Sequence, residues 1–181
     1  MKERIGIFGG SFNPPHIGHL LICHYSLAIY DLDQVWLIPV KDHPLGKRLI
    51  NVGYRHSMCG ILTRFDNKVL VYDYSYYKYT VDLLERLTAE YSHIDFSLII
   101  GSDIHEELSK WKEWGRIQEL AGIITIHRQG HDLPNISGSD IVRFPNISST
   151  EIRERIKNGQ DVNHLVPKGV LEYIKQNNLT F

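Results

Sequence analysis

The sequence predicts an α/β fold: a doubly wound, mostly parallel sheet with helices on both faces. Two observations carry this expectation. Short apolar runs alternate with helix-period segments along the 181 residues, which is the pattern of successive βαβ units. Two of the runs end in glycine turns, Gly9-Gly10 and Gly101-Ser102-Asp103, and sheets of this class hold ligands beyond the carboxyl ends of their strands. The length suits one domain with a sizeable core. The expected unit is 1–181, helical in its last part from residue 147 onward.

The elements follow in order. Ile5–Phe8 reads as a buried strand, and Leu20–Tyr30 as a helix by its apolar periodicity. Val35–Ile38 is a second strand, stopped by Pro39. Asn51 can cap a helix whose apolar face holds Tyr54, Met58, Ile61, Leu62 and Phe65. Val69–Tyr72 is a third strand, and Thr80 can cap a helix that buries Val81, Leu84 and Leu87. Phe96–Ile100 is a fully apolar fourth strand, followed by helices at Asp103–Trp111 and Trp114–Leu120. Ile123–Ile126 and Ile141–Phe144 are the last strands. Ser149–Lys157 and Pro167–Asn177 are closing helices, the second with Pro167 near its first turn. Lys41–Ile50 and Gln129–Asp140, rich in Pro, Gly and polar residues, are expected to be mobile.

Composition narrows the function. Hydrophobic residues are 43% and charged residues 23%, ordinary for a globular protein. A net charge of −1 argues against a nucleic-acid surface, so any basic site is local. Cys23 and Cys59 are the only cysteines and form no CxxC pair. A disulfide framework or cysteine zinc site is not expected, and a reducing cytoplasm fits. The apolar run near Met1 is too short for a signal peptide. No stretch reaches the roughly 18 apolar residues of a membrane span, so neither nucleic acid nor membrane is an expected partner.

Residues Gly10-Ser11-Phe12-Asn13-Pro14-Pro15-His16-Ile17-Gly18-His19 follow the first strand and open the first helix. Gly9-Gly10 lets backbone approach a ligand closely. The spacing matches neither the dinucleotide fingerprint nor the P-loop. His16 and His19, three apart at a helix start, can face the same way. Zinc binding, local capping and phosphate contact are all open to them. Zinc lacks a third ligand nearby, whereas a helix start behind a glycine turn suits an anion. Near the other end, Asn146-Ile147-Ser148-Ser149-Thr150-Glu151-Ile152-Arg153 gathers hydroxyls at a helix start, with Arg153 one turn in. It reads as a capping box, as a phosphate cradle with a bidentate arginine, or as both. Together the two stretches suggest a nucleoside triphosphate gripped for attack at its α-phosphate.

Other features carry less. Asp103 can accept from ribose hydroxyls or cap a helix. Lys41, His43, Lys47 and Arg48 form either a solvated basic loop or a flap over phosphates. Tyr72, Tyr74 and Tyr76 share a face if the strand continues, and packing is the simpler role. Trp111 and Trp114, by spacing on one helix face, read first as core.

With both ends in hand, the chain resembles the HxGH nucleotidyltransferase superfamily, and most closely bacterial nicotinate mononucleotide adenylyltransferases. The resemblance rests on Gly9 through His19, Tyr79-Thr80, Gly101-Ser102-Asp103 with Trp111, Ile147 through Arg153, and the closing Asn158-Gly159, Leu165-Val166-Pro167 and Tyr173-Ile174. It implies a Rossmann-like fold and a reaction in NAD biosynthesis: adenylyl transfer from Mg-ATP to nicotinate mononucleotide, giving deamido-NAD and pyrophosphate. It implies His16, His19 and Arg153 as catalytic residues. Gly9, Gly10, Ser11, Phe12, Gly18, Gly101, Asp103, Ser148, Ser149 and Thr150 would bind ATP. Asn13, Lys47, Thr80 and Trp111 would meet the pyridine mononucleotide, and stacking on Trp111 reverses its reading as core. Mg2+ would be held mainly by ATP phosphates, with no protein metal site. Self-association into a homo-oligomer is left open. The chain departs from the pattern at Asn13, where many bacterial members have Asp. It departs again at Asp42-His43-Pro44-Leu45-Gly46-Lys47, where they carry Pro-Pro-His-Lys. The alternatives are nicotinamide mononucleotide as substrate, phosphopantetheine adenylyl transfer, a nucleotide-binding module without turnover, or a single-strand RNA binder using the tyrosines.

Overall fold

Five parallel strands form one sheet: β1 (Glu3–Gly10), β2 (Gln34–Pro39), β3 (Val69–Val71), β4 (Ile94–Gly101) and β5 (Gly122–Ile126). The computed structural model describes residues 2–42, 48–127 and 144–181. The strand order is β3-β2-β1-β4-β5. The chain builds outward from β1 in one direction, then crosses and builds the other way from β4. The crevice between β1 and β4 is therefore the topological switch point, where sheets of this class bind ligands. Both predicted glycine turns flank it: Gly10 ends β1 and Gly101 ends β4.

Side-chain alternation splits the core. Ile5, Ile7, Trp36, Phe96, Leu98 and Ile100 face one side, against α3 (Thr80–Glu90) and α4 (Trp114–Leu120). Val35, Leu37, Ile99, Ile124 and Ile126 face the other, against Cys23 of α1 (Ile17–Ile29) and Cys59 of α2 (Val52–Thr63). Strands buried on both faces explain the unbroken apolar runs of the sequence. Gly6 lies on this second face; a Cβ there would stand 2.7 Å from Ile99 Cδ1 and 2.8 Å from Leu32 Cδ1. A third cluster joins Met58 and Leu62 of α2 to Ile152 of α5 (Ser149–Lys157) and to Val170 and Ile174 of α6 (Lys168–Gln176). It seats the C-terminal helices on the outer side of α2.

The doubly wound α/β expectation is borne out, and five expected strands appear. Of the sixth, only Phe144 is described, bridging to His127; Gln129–Asp140 and Lys47 lie outside the described residues. Several details differ. Tyr79, not Thr80, is the N-cap of α3, and Thr80 is its first residue. Pro167, expected near the first turn of α6, is its N-cap; its φ is preset for this place and its missing N–H costs nothing. The segment expected as a helix at Asp103–Trp111 is a 3-10 helix, Ser102–Lys110, and only Ser102 and Leu108 in it are buried. Little burial leaves little packing to favour an α-helix over the tighter winding. Trp111 then leaves the helix and Glu113 turns left-handed at φ 52. The two tryptophans thus meet edge to face at 6.1 Å across a break, not along one helix. Phe65 falls past the end of α2 and is 90% exposed, with the Arg64 guanidinium 4.4 Å above its ring. The buried face of α2 is Arg55, Met58, Cys59, Leu62 and Thr63. The tyrosine strand stops at Val71. Beyond it Tyr72 stacks on Trp36 at 4.1 Å and Tyr74 is buried, so packing is their role.

Asn51 does cap α2: its side chain accepts from the Gly53 N–H at 2.8 Å. Asn51→Ala should lower stability by about 1 kcal/mol, read as a shift of the denaturation midpoint at unchanged m-value.

Candidate active site

His16 is the N-cap of α1, buried, and His19 stands three residues on. Their rings stack at 3.7 Å with 28° between planes. His19 Nδ1 accepts from the His16 backbone N–H at 3.1 Å, so in the neutral ring the proton sits on Nε2. Phe12 holds His19 from the side, edge to face at 4.9 Å, and Phe8 packs on Phe12 at 5.6 Å. Gly18 leaves room where a side chain would crowd the His16 ring. A Cβ there would lie 3.0 Å from His16 Nδ1 and 3.4 Å from Ile147 Cβ. The glycine lets the His16 ring and the start of the C-terminal region share one space.

The C-terminal stretch closes on this turn. Arg153 Nη1 donates to Asn13 O at 2.8 Å, and Ser149 Oγ donates to Pro14 O at 2.9 Å. Arg153 Nη2 also donates to Thr150 Oγ1 at 3.1 Å. Ser148 is the N-cap of α5 and accepts from Glu151 N–H at 3.1 Å, so the capping role is real. Leu165 O accepts from Ile17 N–H at 3.0 Å. Burial pushes the Arg153 guanidinium below its ordinary value.

Of the remaining expected site residues, Gly9 faces open space: a Cβ there would meet nothing within 4 Å. Gly10 is required by Phe12, whose ring would stand 3.0 Å from a Cβ. Phe12 is itself buried. Asn13 is buried, and its Oδ1 accepts from Ile50 N–H at 3.4 Å. Gly101 and the exposed Asp103 stand at the end of β4, across the switch point. Thr80 and Trp111 are both half-buried, and Trp111 packs against the core cluster on the α3 and α4 side of the sheet. Lys112, next to Trp111, pairs with Asp82 in the first turn of α3 at 2.8 Å and lies 4.9 Å over the Tyr79 ring. Among the described residues, no group of three or more His, Cys, Asp or Glu side chains is arranged to hold a metal. Cys23 and Cys59 are buried and free, their thiols pushed up by burial.

Arg55 is the site residue that sequence reasoning missed. Its side chain is fully buried and reaches the backbone beside the glycine turn, donating to Ser11 O at 2.7 Å. The signal was present: Arg55 is three residues before Met58 and seven before Leu62, on the apolar face of α2.

A family model described as cytidylyltransferase-like matches residues 7–155, from the first strand through Arg153. "Probable nicotinate-nucleotide adenylyltransferase" of Anaeromyxobacter dehalogenans (strain 2CP-C) is 42% identical over 185 aligned positions, covering 98% of this chain and 96% of its own. The chain belongs to the nicotinate-nucleotide adenylyltransferase family. The correspondingly named protein of Myxococcus xanthus (strain DK1622) is 35% identical, over 97% and 94% of the two chains. A solved structure, "Plasmodium falciparum nicotinic acid mononucleotide adenylyltransferase complexed with NaAD", superposes with a TM-score of 0.81 at 21% identity, covering 98% of this chain and 97% of that one. At that identity it speaks for a common fold. The fold of this family member is thus the Rossmann-like one expected. Among its described residues no helix is long and apolar enough to cross a membrane.

Proposed function

We propose that this chain transfers the adenylyl group of ATP to nicotinate mononucleotide, releasing pyrophosphate and forming deamido-NAD in NAD biosynthesis. The observation that carries this reading is the junction of Arg153 and Ser149 with the Asn13-Pro14 backbone, beside the stacked histidines. It joins in space the two stretches that this reading takes as phosphate-binding motifs. Residues 1–181 act as one catalytic unit in this reading, with the helical part from 147 onward closing the triphosphate site.

Gly9, Gly10, Ser11, Phe12 and Gly18 bring backbone to the triphosphate, and Ser148, Ser149, Thr150 and Arg153 take its outer phosphates. Gly101 and Asp103 serve the adenosine; Asn13, Lys47, Thr80 and Trp111 serve the mononucleotide. The substrate's 5′-phosphate supplies the nucleophile, so no side chain need form a covalent bond. The protein's part is positioning and donors aimed at developing charge. His19 Nε2–H is such a donor, and His16 fixes its ring by stacking and by the N–H to Nδ1 bond. Mg2+, carried by phosphate oxygens and water, would neutralise charge on the leaving pyrophosphate. The described residues fit that arrangement, since they offer histidines, hydroxyls and an arginine for phosphate rather than a carboxylate cage. A cytoplasmic location accords with this reading.

The direct test offers Mg-ATP with nicotinate mononucleotide, its amide or phosphopantetheine side by side. Pyrophosphate release should be fastest with the nicotinate compound. Faster release with either alternative reassigns the substrate, and ATP binding without any release leaves only a nucleotide-binding module.

A further inference from the structure

Arg55 is 0% exposed, and its three hydrogen bonds among the described residues all go to neutral backbone carbonyls, with the Asp42 charge acting on it as well. Nη1 donates to Ser11 O at 2.7 Å, Nη2 to Lys41 O at 2.9 Å and Nε to Ile50 O at 2.9 Å. Burying a cation is expensive, and an apolar residue of similar volume could fill the space without that cost. What an apolar residue could not do is hold three carbonyls from separate stretches of chain in one plane. A guanidinium fork does this by its fixed geometry.

One of the three carbonyls, Ser11 O, lies in the turn read above as part of the triphosphate site. Ser11 begins the turn after β1, while Lys41 and Ile50 lie near the two ends of the connection from β2 to α2. The same turn is tied from its other side by Arg153 on Asn13 O and Ser149 on Pro14 O. Between the two ties lies Phe12, with φ 46. A non-glycine residue keeps such a conformation only where its surroundings over-determine it. The Ser11–Phe12 peptide is trans, so its N–H points opposite to its carbonyl. With Ser11 O drawn onto Arg55, the Phe12 N–H is directed away from that guanidinium.

We propose that Arg55 is a positioning residue: it sets the plane of the Ser11–Phe12 peptide and thereby aims the Phe12 N–H as a donor to the triphosphate. This rests on the reading of the turn as an ATP site. Arg55 touches neither substrate and acts through the backbone alone.

The test uses the full chain and two variants, Arg55→Lys, which keeps the charge without the fork, and Arg55→Ala. Affinity for a non-hydrolysable ATP analogue is measured by calorimetry, and kcat and KM by pyrophosphate release. Both are read below each variant's melting temperature and per folded molecule. Arg55→Lys should bind the analogue about tenfold more weakly and turn over about 100-fold more slowly, the scale expected when reacting groups shift by about 1 Å. Millimolar methylguanidinium should restore part of the activity of Arg55→Ala, and methylammonium should not. If Arg55→Lys melts lower but matches wild type per folded molecule in both measurements, Arg55 is only structural and the proposal falls. If wild type binds the analogue without releasing pyrophosphate, the reaction assigned above fails while Arg55 is still judged by affinity. If wild type does not bind the analogue, both fall.

Discussion

His19→Ala is expected to lower kcat/KM about 100-fold, close to 3 kcal/mol of barrier, as when one aimed donor is removed from a site of developing charge. The reason lies in how the ring is held. Its Nδ1 is engaged by the His16 N–H at 3.1 Å, and Phe12 and His16 press on its two sides. The imidazole therefore enters the reaction with its orientation and tautomer set. The free energy of ordering it has been met in folding. The substitution also removes packing on Phe12, so a melting curve belongs beside the kinetics. A folded His19→Ala protein with near-wild-type turnover would remove His19 from the mechanism.

Arg153→Met is expected to cost about 2.5 kcal/mol, roughly 70-fold in kcat/KM, the scale of a hydrogen bond to a charged group. Two consequences combine. The outer phosphates lose a cation, and Asn13 O loses the donor at 2.8 Å that holds the turn to α5. Arg153→Lys should recover only part of the loss, because a point charge can neutralise phosphate but cannot bond a phosphate and a carbonyl in one plane. The measurement is kcat and KM for ATP in wild type and both variants. Equal recovery by lysine would mean that charge alone matters and that the fork to Asn13 is incidental.

The site was unevenly legible. HxGH and the hydroxyl run before Arg153 could be read because each is a local device: a glycine where side chains must approach, a cap where N–H groups lack partners. Ser148 caps α5 and the two histidines stack, much as spacing suggested. Phe12 was expected as an ATP contact, yet its ring is buried under His19; a sequence does not say whether backbone or side chain faces a ligand. Phe65 and Thr80 were misplaced by a residue or two at helix ends, where capping alternatives differ little in energy. Arg55 went unread because a charged residue on an apolar helix face is ordinarily a solvated one at the edge of that face.

By itself, the sequence determined the strands, the glycine turns, most helix starts and the pair of phosphate motifs, since these depend on periodicity, backbone freedom and caps within a few residues. Tertiary structure alone decided which carbonyls those motifs would seize. Arg55 reaches Ser11 across 44 positions of chain and Arg153 reaches Asn13 across 140. Bonds of that separation exist only once the sheet has reversed direction at β1 and the third hydrophobic cluster has seated α5 and α6 against α2.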